Sequence, residues 1–355
     1  MKGLTRLGLI LFWVVLIFAI IYWPKLGLFP SNPKSINIFT WGDILEPAVI
    51  AEFENATGIK VNLNYYTTNE ELLVKMKATR GVGYDLIIPS DYAVKILAKE
   101  GFLKPIDKTK LSFWNEINPF LLGHPFDPDN TYSIPFEWEI FGLGINKEYF
   151  QTHTLTPSWD MVFDPAVVNY KITMLNDPIE AIQMAAYYLF GPVKSLSPEQ
   201  VVQVQALLTR QKKWVEAYAD FRGDYFLATR NCPVVVASSS YIKRSMNKFP
   251  FIGFVVPQKE TFITIENLSI PQASKKDRLI YQFINYVFSK DPLQKQYDQF
   301  GFFPSTVTTG DELEIDPEMK ALLQMTTSGF YQIHFFEPIL PGEEMRKVWI
   351  ELKTP

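Results

Sequence analysis

Residues 35–101 alternate between short apolar runs of strand length and longer amphipathic runs of helix length. In chain order we predict the strand INIFTW (36–41), the helix EPAVIAEFENATG (46–58), the strand IKVNLNYY (59–66), a helix capped by Asn69, the strand YDLIIPS (84–90) and the helix DYAVKILAKEG (91–101). Pro47 suits the first turn of its helix and Gly58 the position after its end. Serial β-α-β units predict a parallel sheet, whose ligands gather beyond the carboxyl ends of the strands.

A second αβ section begins near residue 170. We predict the strand YKITML (170–175), the helix DPIEAIQMAAYYLFG (177–191), a longer helix from Pro198 to about Tyr218, the strand CPVVVAS (232–238), the helix SSYIKRSM (239–246) and a helical C-terminal third that begins with Asp277 to Ser289. The repeated alternation indicates a second lobe of the same αβ class.

Two extended passages, residues 124–146 and 249–271, connect the two αβ sections. A chain of 355 residues also exceeds the size at which a single core usually stops growing. Two crossings between two lobes predict an α/β fold with a hinge and an interlobe cleft. We place the first lobe in residues 35–137 plus 259–310, and the second in residues 138–258 plus 311–355.

Residues 1–34 are predicted to be a membrane anchor or signal segment. No charge occurs between Arg6 and Lys25, and the apolar run 7–24 is roughly long enough to cross a bilayer. The run ends in Tyr22 and Trp23 without a small-x-small cleavage site, which favours an uncleaved anchor over a removed signal. Lys2 and Arg6 on the N-terminal side of the run favour a cytoplasmic N-terminus, so we expect the rest of the chain to be exported.

Composition and charge narrow the class of ligand. Hydrophobic residues make up 47% of the chain and aromatic residues 15%, which is enough apolar surface for an ordered fold. The first 34 residues hold four Lys or Arg and no acid, so 30 basic and 38 acidic residues follow. This balance argues against a nucleic-acid partner and modestly favours a cationic ligand, although most such charges simply keep a domain soluble.

Enzyme signatures are largely missing from the sequence. It has no phosphate-binding glycine loop, no GxSxG motif and no paired zinc-ligand histidines, so we predict no catalysis, no metal and no cofactor. SYIK (240–243) fits the S-x-x-K pattern of serine acyl-enzymes, but the accompanying elements are absent. We interpret it as a helix start whose lysine faces solvent. The single cysteine, Cys232, excludes a disulfide framework and is predicted to be buried.

Aromatic residues and carboxylates recur together at the predicted strand ends and helix starts. Ammonium groups bind to carboxylates by charged hydrogen bonds and to the faces of aromatic rings. The candidate residues are Trp41, Asp43, Ser90, Tyr92, Asp177, Glu180 and Glu266.

Each of these candidates also has a purely structural interpretation. Asp177 and Glu180 have capping-box spacing, and we favour capping as their only role on the sequence pattern alone. Asp43 would cap the predicted helix 46–58, and Ser90 would cap the predicted helix 91–101. Trp41 and Tyr92 would simply pack in the core.

Several gap-free stretches of the chain resemble the periplasmic spermidine/putrescine-binding proteins of ABC importers. The stretches are FTWGDILEP (39–47), FENATGIKVNLNYYTTNEELLVKMKA (53–78), YDLIIPSDYAVKILAKEGFLKPIDKTKL (84–111), HPFDPDNTYSIPFEW (124–138), NDPIEAIQMA (176–185), NLSIPQASKKD (267–277) and FGFFPS (300–305). The resemblance implies the two-lobed fold of type II periplasmic binding proteins, closed around a linear polyamine.

The resemblance also implies roles for individual residues. Trp41 and Asp43 would contact one amine end, Ser90 and Tyr92 would line the cleft, and Asp177 with Glu180 would bind another amine. Glu266 falls where the family has an aspartate that fixes the amine in the middle. Gln332, near the family's C-terminal glutamine, is a weaker placement, and Phe302 lacks the hydroxyl of the family's tyrosine. Gly42 and Ile44 replace a threonine and an aromatic residue of the family. Val236 and Thr264 replace two tryptophans.

From these features we predict a monomeric, membrane-tethered binding protein that captures a polyamine for the membrane permease of an ABC importer. One alternative keeps the fold and changes the ligand to another organic cation or amino compound. A second alternative is a tethered polyamine sensor without an importer. The last is a hydrolase that uses Asp177 and Glu180 as acid and base.

Overall fold

The first αβ section folds into a three-stranded parallel sheet in the computed structural model, which describes Arg6, Trp13 and residues 34–219, 222–258, 260–307, 312–327 and 332–354. Its elements are β1 (Ser35–Thr40), α1 (Pro47–Thr57), β2 (Lys60–Tyr65), α2 (Asn69–Thr79), β3 (Leu86–Ile87) and α3 (Asp91–Lys99). The strand order is β2-β1-β3, with β1 parallel to both neighbours. The predicted β-α-β winding is confirmed, so the loops after β1, β2 and β3 meet at one edge.

The helix starts differ from the sequence predictions in two places. The N-cap of α1 is Glu46, whose carboxylate accepts from Ala48 N at 3.4 Å, so Asp43 does not cap this helix. The N-cap of α2 is Thr68, whose side chain accepts from Glu71 N at 3.1 Å, and not Asn69. The Asn69 side chain instead accepts from Ser90 N at 3.4 Å. It therefore ties α2 to the start of α3.

The second αβ section belongs to an eight-stranded mixed sheet. Its elements are β4 (Ile134–Asn146), α4 (Asp160–Phe163), β5 (Ile172–Met174), α5 (Pro178–Phe190), α6 (Pro198–Gln211), β6 (Val215–Tyr218), α7 (Gly223–Ala228), β7 (Val234–Ser238), α8 (Ser239–Met246), β8 (Ile252–Val255) and β9 (Glu260–Leu268). Single 3-10 turns occur at Lys108–Lys110, Trp114–Glu116, Pro119–Leu121 and Tyr149–Gln151. Among these strands, β9 pairs with β4, β4 with β7, β7 with β5 and β5 with β6, and β8 also pairs with β4.

The long helix predicted from Pro198 to Tyr218 is wrong in its last third. The helix α6 ends at Gln211, and Val215–Tyr218 forms β6, which runs parallel to β5 at the edge of the sheet. The sequence VEAY alternates apolar and polar residues, which suits a half-buried strand as well as it suits a helix. Pairing with β5 decides between the two, and that pairing is not visible in the local sequence.

The C-terminal third is helical, as predicted, with two short strands that the sequence did not indicate. Its elements are α9 (Asp277–Val287), α10 (Lys290–Phe300), β10 (Phe303–Pro304), α11 (Pro317–Thr327), β11 (Gln332–Phe335) and α12 (Gly342–Lys353). The strand β10 pairs with β4, and β11 runs parallel to β9. The C-terminal part of the chain thus attaches to the same strands that connect the two lobes.

The two predicted crossings between the lobes are the neighbouring antiparallel strands β4 and β9. Every residue of β4 is buried. An isolated bridge between Ser90 and Glu266 also joins the start of α3 to β9. Residues of the first section are therefore held directly against the strands that lead to the second lobe.

Two separate hydrophobic cores lie on either side of these strands. One contains Ile36, Phe53 and Phe283, and the other contains Phe163 and Leu208. A third cluster, which includes Trp138 and Ile265, lies between them. Phe262 packs in the second core and Leu313 in the first, each a few residues beyond the boundary predicted from sequence, so the exact division between lobes stays a proposal.

The predicted membrane anchor, residues 7–24, lies outside the described residues apart from Trp13. Within the part of the chain that the structure describes, no helix has the length and apolar character needed to cross a membrane. Cys232 is fully buried, as expected. Lys243 is buried as well, contrary to the prediction, because α10 covers it: its Nζ donates to Tyr297 O at 3.2 Å and lies 4.3 Å from the centroid of that ring.

Candidate functional site

A cleft of about 590 Å³ opens between the two lobes, at the edge where the first three strands end. Eight of the nine residues singled out from the sequence line it: Trp41, Asp43, Ser90, Tyr92, Asp177, Glu180, Glu266 and Phe302. The parallel winding explains this convergence, because the segments after β1 and β3 lie side by side. Their part in ligand binding stays a prediction.

Gln332 is the one predicted residue that the structure does not bring to the cleft. It is exposed at the first position of β11, opposite Glu260 at the start of β9. Six residues of extended strand separate Glu260 from Glu266, which corresponds to about 20 Å. Phe336, which follows the end of β11, lines the cleft instead.

Glu266 lies at the floor of the cleft, and both of its carboxylate oxygens are held. Trp41 Nε1 donates to Oε2 at 2.8 Å, and Ser90 Oγ donates to Oε1 at 2.7 Å. Ser90 makes no side-chain capping bond to α3, so the capping interpretation of its hydroxyl is wrong. The Trp41 ring in turn lies 4.5 Å from the centroid of Tyr66. The side chain at the floor is therefore fixed in position before any ligand arrives.

Burial also changes the charge state of Glu266. Its side chain is only 6% exposed, and this burial raises its pKa to about 8, although the hydrogen bond from Ser90 works in the opposite direction. The nearby carboxyls of Glu139 and Asp91 add to the increase. Glu266 is thus largely protonated at neutral pH in the empty cleft, and a cation placed beside it would favour the charged form.

Asp91 is acidic and buried too, but its contacts are structural. Its Oδ1 accepts from Tyr92 N at 2.7 Å and its Oδ2 from Ile265 N at 3.2 Å, so it links α3 to β9. Burial raises the pKa of Asp91 to about 7, while those amide hydrogen bonds lower it. The neighbouring Tyr92 hydroxyl donates to Glu70 Oε1 at 2.6 Å, and Glu70 was not singled out from the sequence.

Asp177 caps the helix α5 and also lines the cleft. As the N-cap of α5, its Oδ1 accepts from Ile179 N at 2.7 Å and from Glu180 N at 3.1 Å. Asp177 and Glu180 also both line the cleft. Lining the cleft is therefore a second feature of Asp177 beside its cap, and Glu180 adds a carboxyl group to the lining from the first turn of α5.

Asp43 reaches across the cleft to the second lobe. Its Oδ2 lies 3.3 Å from Nη1 of Arg244 on α8, and the guanidinium carbon of Arg244 lies 4.3 Å from the ring centroid of Tyr241. Arg244 was not predicted to belong to the site, and the sequence indicated Tyr241 only as a ring that could fill the space of a missing tryptophan. The sequence signal for them was weak, because both lie in the SSYIKRSM helix, whose contacts depend on how the two lobes meet.

Glu139 is the most informative residue that the sequence analysis missed. It lines the cleft, is 7% exposed and accepts a hydrogen bond from Ser240 Oγ. Burial raises its pKa. Glu137, two residues earlier on β4, is also buried and accepts from Gln296 Nε2 at 3.2 Å. Two acids at alternate positions of the wholly buried stretch FEWEIF were an available signal, since buried carboxylates are rare without a function or a partner.

The apolar walls are thinner than the family resemblance implies. Val236 is buried in the second core and does not line the cleft, whereas Thr264 does. Phe262 is also buried, and it stacks on Phe336 with centroids 4.5 Å apart. The remaining rings that line the cleft are Trp41, Tyr65, Tyr66, Tyr92, Phe141, Tyr241, Phe302 and Phe336.

The charged residue types in the described lining of the cleft are all acidic. Among the described residues that line the cleft, seven are Asp or Glu and none is Lys, Arg or His. Across the part of the chain that the structure describes, no group of three or more His, Cys, Asp and Glu has the arrangement of a metal site. A second cavity of about 630 Å³ lies beside Tyr149 and Tyr170 and has only one acid, Asp160, which already accepts from Tyr188. The interlobe cleft is therefore the candidate site for an organic cation.

Comparisons with known proteins match both the sequence and the fold. The sequence profile described as bacterial extracellular solute-binding protein matches residues 48–325. The spermidine/putrescine-binding periplasmic protein of Salmonella typhimurium is 28% identical over 277 residues, which cover 77% of this chain and 78% of that protein. The putrescine/cadaverine-binding protein of Pseudomonas aeruginosa is 27% identical over 335 residues, with 90% and 94% covered. The solved spermidine/putrescine ABC transporter substrate-binding protein of Streptococcus pneumoniae has a TM-score of 0.75 at 22% identity, covering 90% of this chain and 98% of that one.

Proposed function

Since the chain belongs to the family of bacterial extracellular solute-binding proteins, we propose that it captures a small polyamine of the putrescine and spermidine type and delivers it to an ABC importer. The ligand is bound and released without a bond being broken. The lobes close around it because a ligand in the cleft contacts both of them, which gives the closed form its higher affinity.

The observation that carries this proposal is the charge of the cleft lining, with seven carboxyl side chains and no basic one among the described residues. Primary amines on alkyl chains titrate near pH 10, so a polyamine is multiply protonated at neutral pH. Charged hydrogen bonds to carboxylates and contacts with aromatic faces each favour such a cation when water is excluded. The alkyl segments between the amines would lie along the rings of Trp41, Tyr92 and Phe302.

The names of the sequence relatives support the same class of ligand. They include spermidine/putrescine-binding, putrescine/cadaverine-binding and putrescine-binding proteins. All of these ligands are linear amines with two or three positive charges. The relatives thus agree on the chemistry of the ligand and differ in its length.

In the proposed complex, Glu266 is the central anchor for an ammonium group, held in place by Trp41 and Ser90. Asp177 and Glu180 serve a second ammonium from the other lobe. The Asp177 oxygen that caps α5 keeps the carboxylate facing the cleft at a fixed angle. This dual use explains why a capping residue is also suitable for a binding site.

A second candidate ligand is a compound with both an amino and a carboxylate group. The observation that favours it is Arg244, whose guanidinium lies at the Asp43 end of the cleft. The hydrolase alternative has less support, because Asp177 Oδ1 is engaged by two backbone amides and its partner Glu180 lies only three residues away on the same helix.

The place of action follows from the same proposal. The relatives are periplasmic binding proteins, and we infer that residues 35–355 work outside the cytoplasm, tethered by residues 7–24. The protein would act as a monomer and present its closed form to the membrane permease. Tethering keeps it near that permease and prevents its loss.

The test is to identify the ligand that the protein retains. The full-length chain is purified in mild detergent without added amine, denatured, and its small-molecule contents are identified by mass spectrometry. The proposal predicts a diamine or triamine at up to one molecule per chain. An amino acid in its place would support the second candidate, and calorimetry without heat for putrescine, cadaverine and spermidine at millimolar concentration would reject the polyamine assignment.

A further inference from the structure

One positively charged side chain of this protein already lies beside a carboxylate of the cleft. Arg244 Nη1 is 3.3 Å from Asp43 Oδ2, and the guanidinium carbon is 4.3 Å from the Tyr241 ring centroid. A carboxylate on one side and an aromatic face on the other are the contacts that an ammonium group of a ligand would use. Arg244 therefore makes the two contacts that a ligand cation would make at this end of the cleft.

The ion pair between Asp43 and Arg244 adds little to the stability of the fold. The side chain of Asp43 is 47% exposed and that of Arg244 is 27% exposed, and ion pairs as exposed as this contribute little to folding. Asp43 belongs to the first lobe and Arg244 to helix α8 of the second lobe. Their contact joins the two lobes at the Asp43 end of the cleft.

Other acids of the lining lie elsewhere in the cleft. Glu266 is at the floor, Glu70 accepts from Tyr92, and Asp177 and Glu180 lie at the start of α5. Two ammonium groups can be neutralised by this set without disturbing Arg244. A third ammonium directed to Asp43 would displace the guanidinium and come within a few ångström of it, and like charges at such distances repel.

We propose that Arg244 determines ligand length, so that this protein selects a diamine over a triamine because its own guanidinium is paired with Asp43, the carboxylate that a third ammonium would use. The inference rests on the proposed function, since it presumes that amines bind in this cleft. It adds the ligand class and names the residue that sets it.

The experiment measures the ratio of putrescine affinity to spermidine affinity by calorimetry on the full-length protein in detergent. In the unmodified protein the ratio is expected to favour putrescine by about tenfold, the size of effect expected when a charge pair must be displaced. Arg244→Ala and Arg244→Gln both remove the charge, and each is expected to lower the ratio by about tenfold. Two variants are used so that poor folding of one, judged by its melting temperature, leaves the other decisive.

A matched control is available in Arg230. It makes the same two kinds of contact away from the cleft, with Nη2 3.0 Å from Glu148 Oε2 and its guanidinium carbon 3.9 Å from the Phe251 ring centroid. Arg230→Ala is expected to leave the ratio unchanged. The double variant Asp43→Asn with Arg244→Ala is expected to lose most of the gain for spermidine, because the third ammonium then finds no carboxylate at that end.

The outcomes separate this inference from the proposed function. If putrescine and spermidine both bind but the ratio in both Arg244 variants equals that of the unmodified protein, the inference is wrong and the polyamine function stands. A tenfold preference of the unmodified protein for spermidine would also overturn it. Tight binding of 4-aminobutyrate that is lost in Arg244→Ala would show that the guanidinium binds a ligand carboxylate instead. Absence of heat with both amines would reject the proposed function itself.

Discussion

The indole Nε1 of Trp41 donates a hydrogen bond to Glu266 Oε2 at 2.8 Å, across 225 residues of sequence. This contact joins the loop after the central strand of the first sheet to the strand β9 that connects the lobes. Together with the hydroxyl of Ser90, it fixes a buried carboxyl at the floor of a cleft whose described lining includes seven acids and eight aromatic side chains. The account of this protein as a polyamine receptor depends on that arrangement.

Replacing Trp41 by Phe keeps an aromatic wall and removes the donor to Glu266. We expect polyamine binding to weaken by about 1.5–3 kcal/mol, the range for a lost hydrogen bond to a charged group, because Glu266 is then held by Ser90 alone. The measurement is calorimetric titration of the full-length variant with putrescine. Affinity equal to that of the unmodified protein would mean that the ligand does not use the position that Trp41 sets.

Binding of a polyamine should release protons at neutral pH. Burial raises the pKa of Glu266 to about 8, and a bound ammonium lowers it again, so the complex holds fewer protons than the empty protein below that pH. Affinity is therefore expected to increase between pH 6 and 8 and to level off above that, until the ligand amines deprotonate. Titrations in two buffers of different ionisation heat measure the released protons, and the Glu266→Gln variant should release fewer.

A pH profile of binding that is flat between 6 and 8, with no buffer dependence of the heat, would contradict this prediction. It would show that no ionisable group of the cleft changes its protonation state when the ligand enters.

The empty protein should lose stability as pH rises from about 4.5 to 8. The folded-state pKa of Glu266 is raised to about 8, and that of Asp91 to about 7, so the folded chain retains protons that the unfolded chain releases. Because the folded state binds more protons in this window, the free energy of unfolding falls with increasing pH. For each group the stabilisation is fully present below the unfolded pKa and is lost as pH passes through the folded pKa.

Urea unfolding at pH 5, 7 and 8.5 measures this dependence. The Glu266→Gln variant removes one of the two groups and is expected to have a shallower slope, with greater stability than the unmodified protein at pH 8.5. A slope that is identical in the two proteins would place the pKa of Glu266 near its ordinary value.

Two substitutions at Asp177 separate capping from binding. Asn caps helices about as well as Asp, so Asp177→Asn should leave the free energy of unfolding nearly unchanged and weaken polyamine binding by about 1–3 kcal/mol. Asp177→Ala loses the cap as well and should also destabilise the fold by about 1 kcal/mol. Unfolding and calorimetry on both variants distinguish the two effects. Equal polyamine affinity of the unmodified protein and Asp177→Asn would mean that Asp177 only caps the helix.

The local sequence was sufficient for most of the first lobe, because each strand and helix there contacts its neighbours along the chain. The same regularity brought Trp41 and Ser90 to one edge of the sheet. It failed where long-range pairing decides, since the strand β6 was predicted as helix. The family resemblance placed Gln332 at the cleft, but β11 pairs with β9 in a register that leaves Gln332 exposed.

Glu139 and the contacts of Arg244 were not predicted, for two different physical reasons. Glu139 lies inside a central strand. A charged residue at such a position makes the strand itself harder to predict from the local sequence, unless the residue is assumed to have a function. Arg244 and Tyr241 lie on a short helix of the second lobe, and their relation to Asp43 arises only when the lobes meet. No periodicity or spacing within one segment carries that information.

The most direct test of the central claim compares putrescine with 1,4-butanediol, which has the same chain length and no charge. Both are titrated into the full-length protein in detergent at pH 8 and low ionic strength. The account predicts measurable heat and saturable binding with putrescine and none with the diol at the same concentration, because the acids of the cleft recognise charge. Equal binding of the two, or binding of neither, would contradict it.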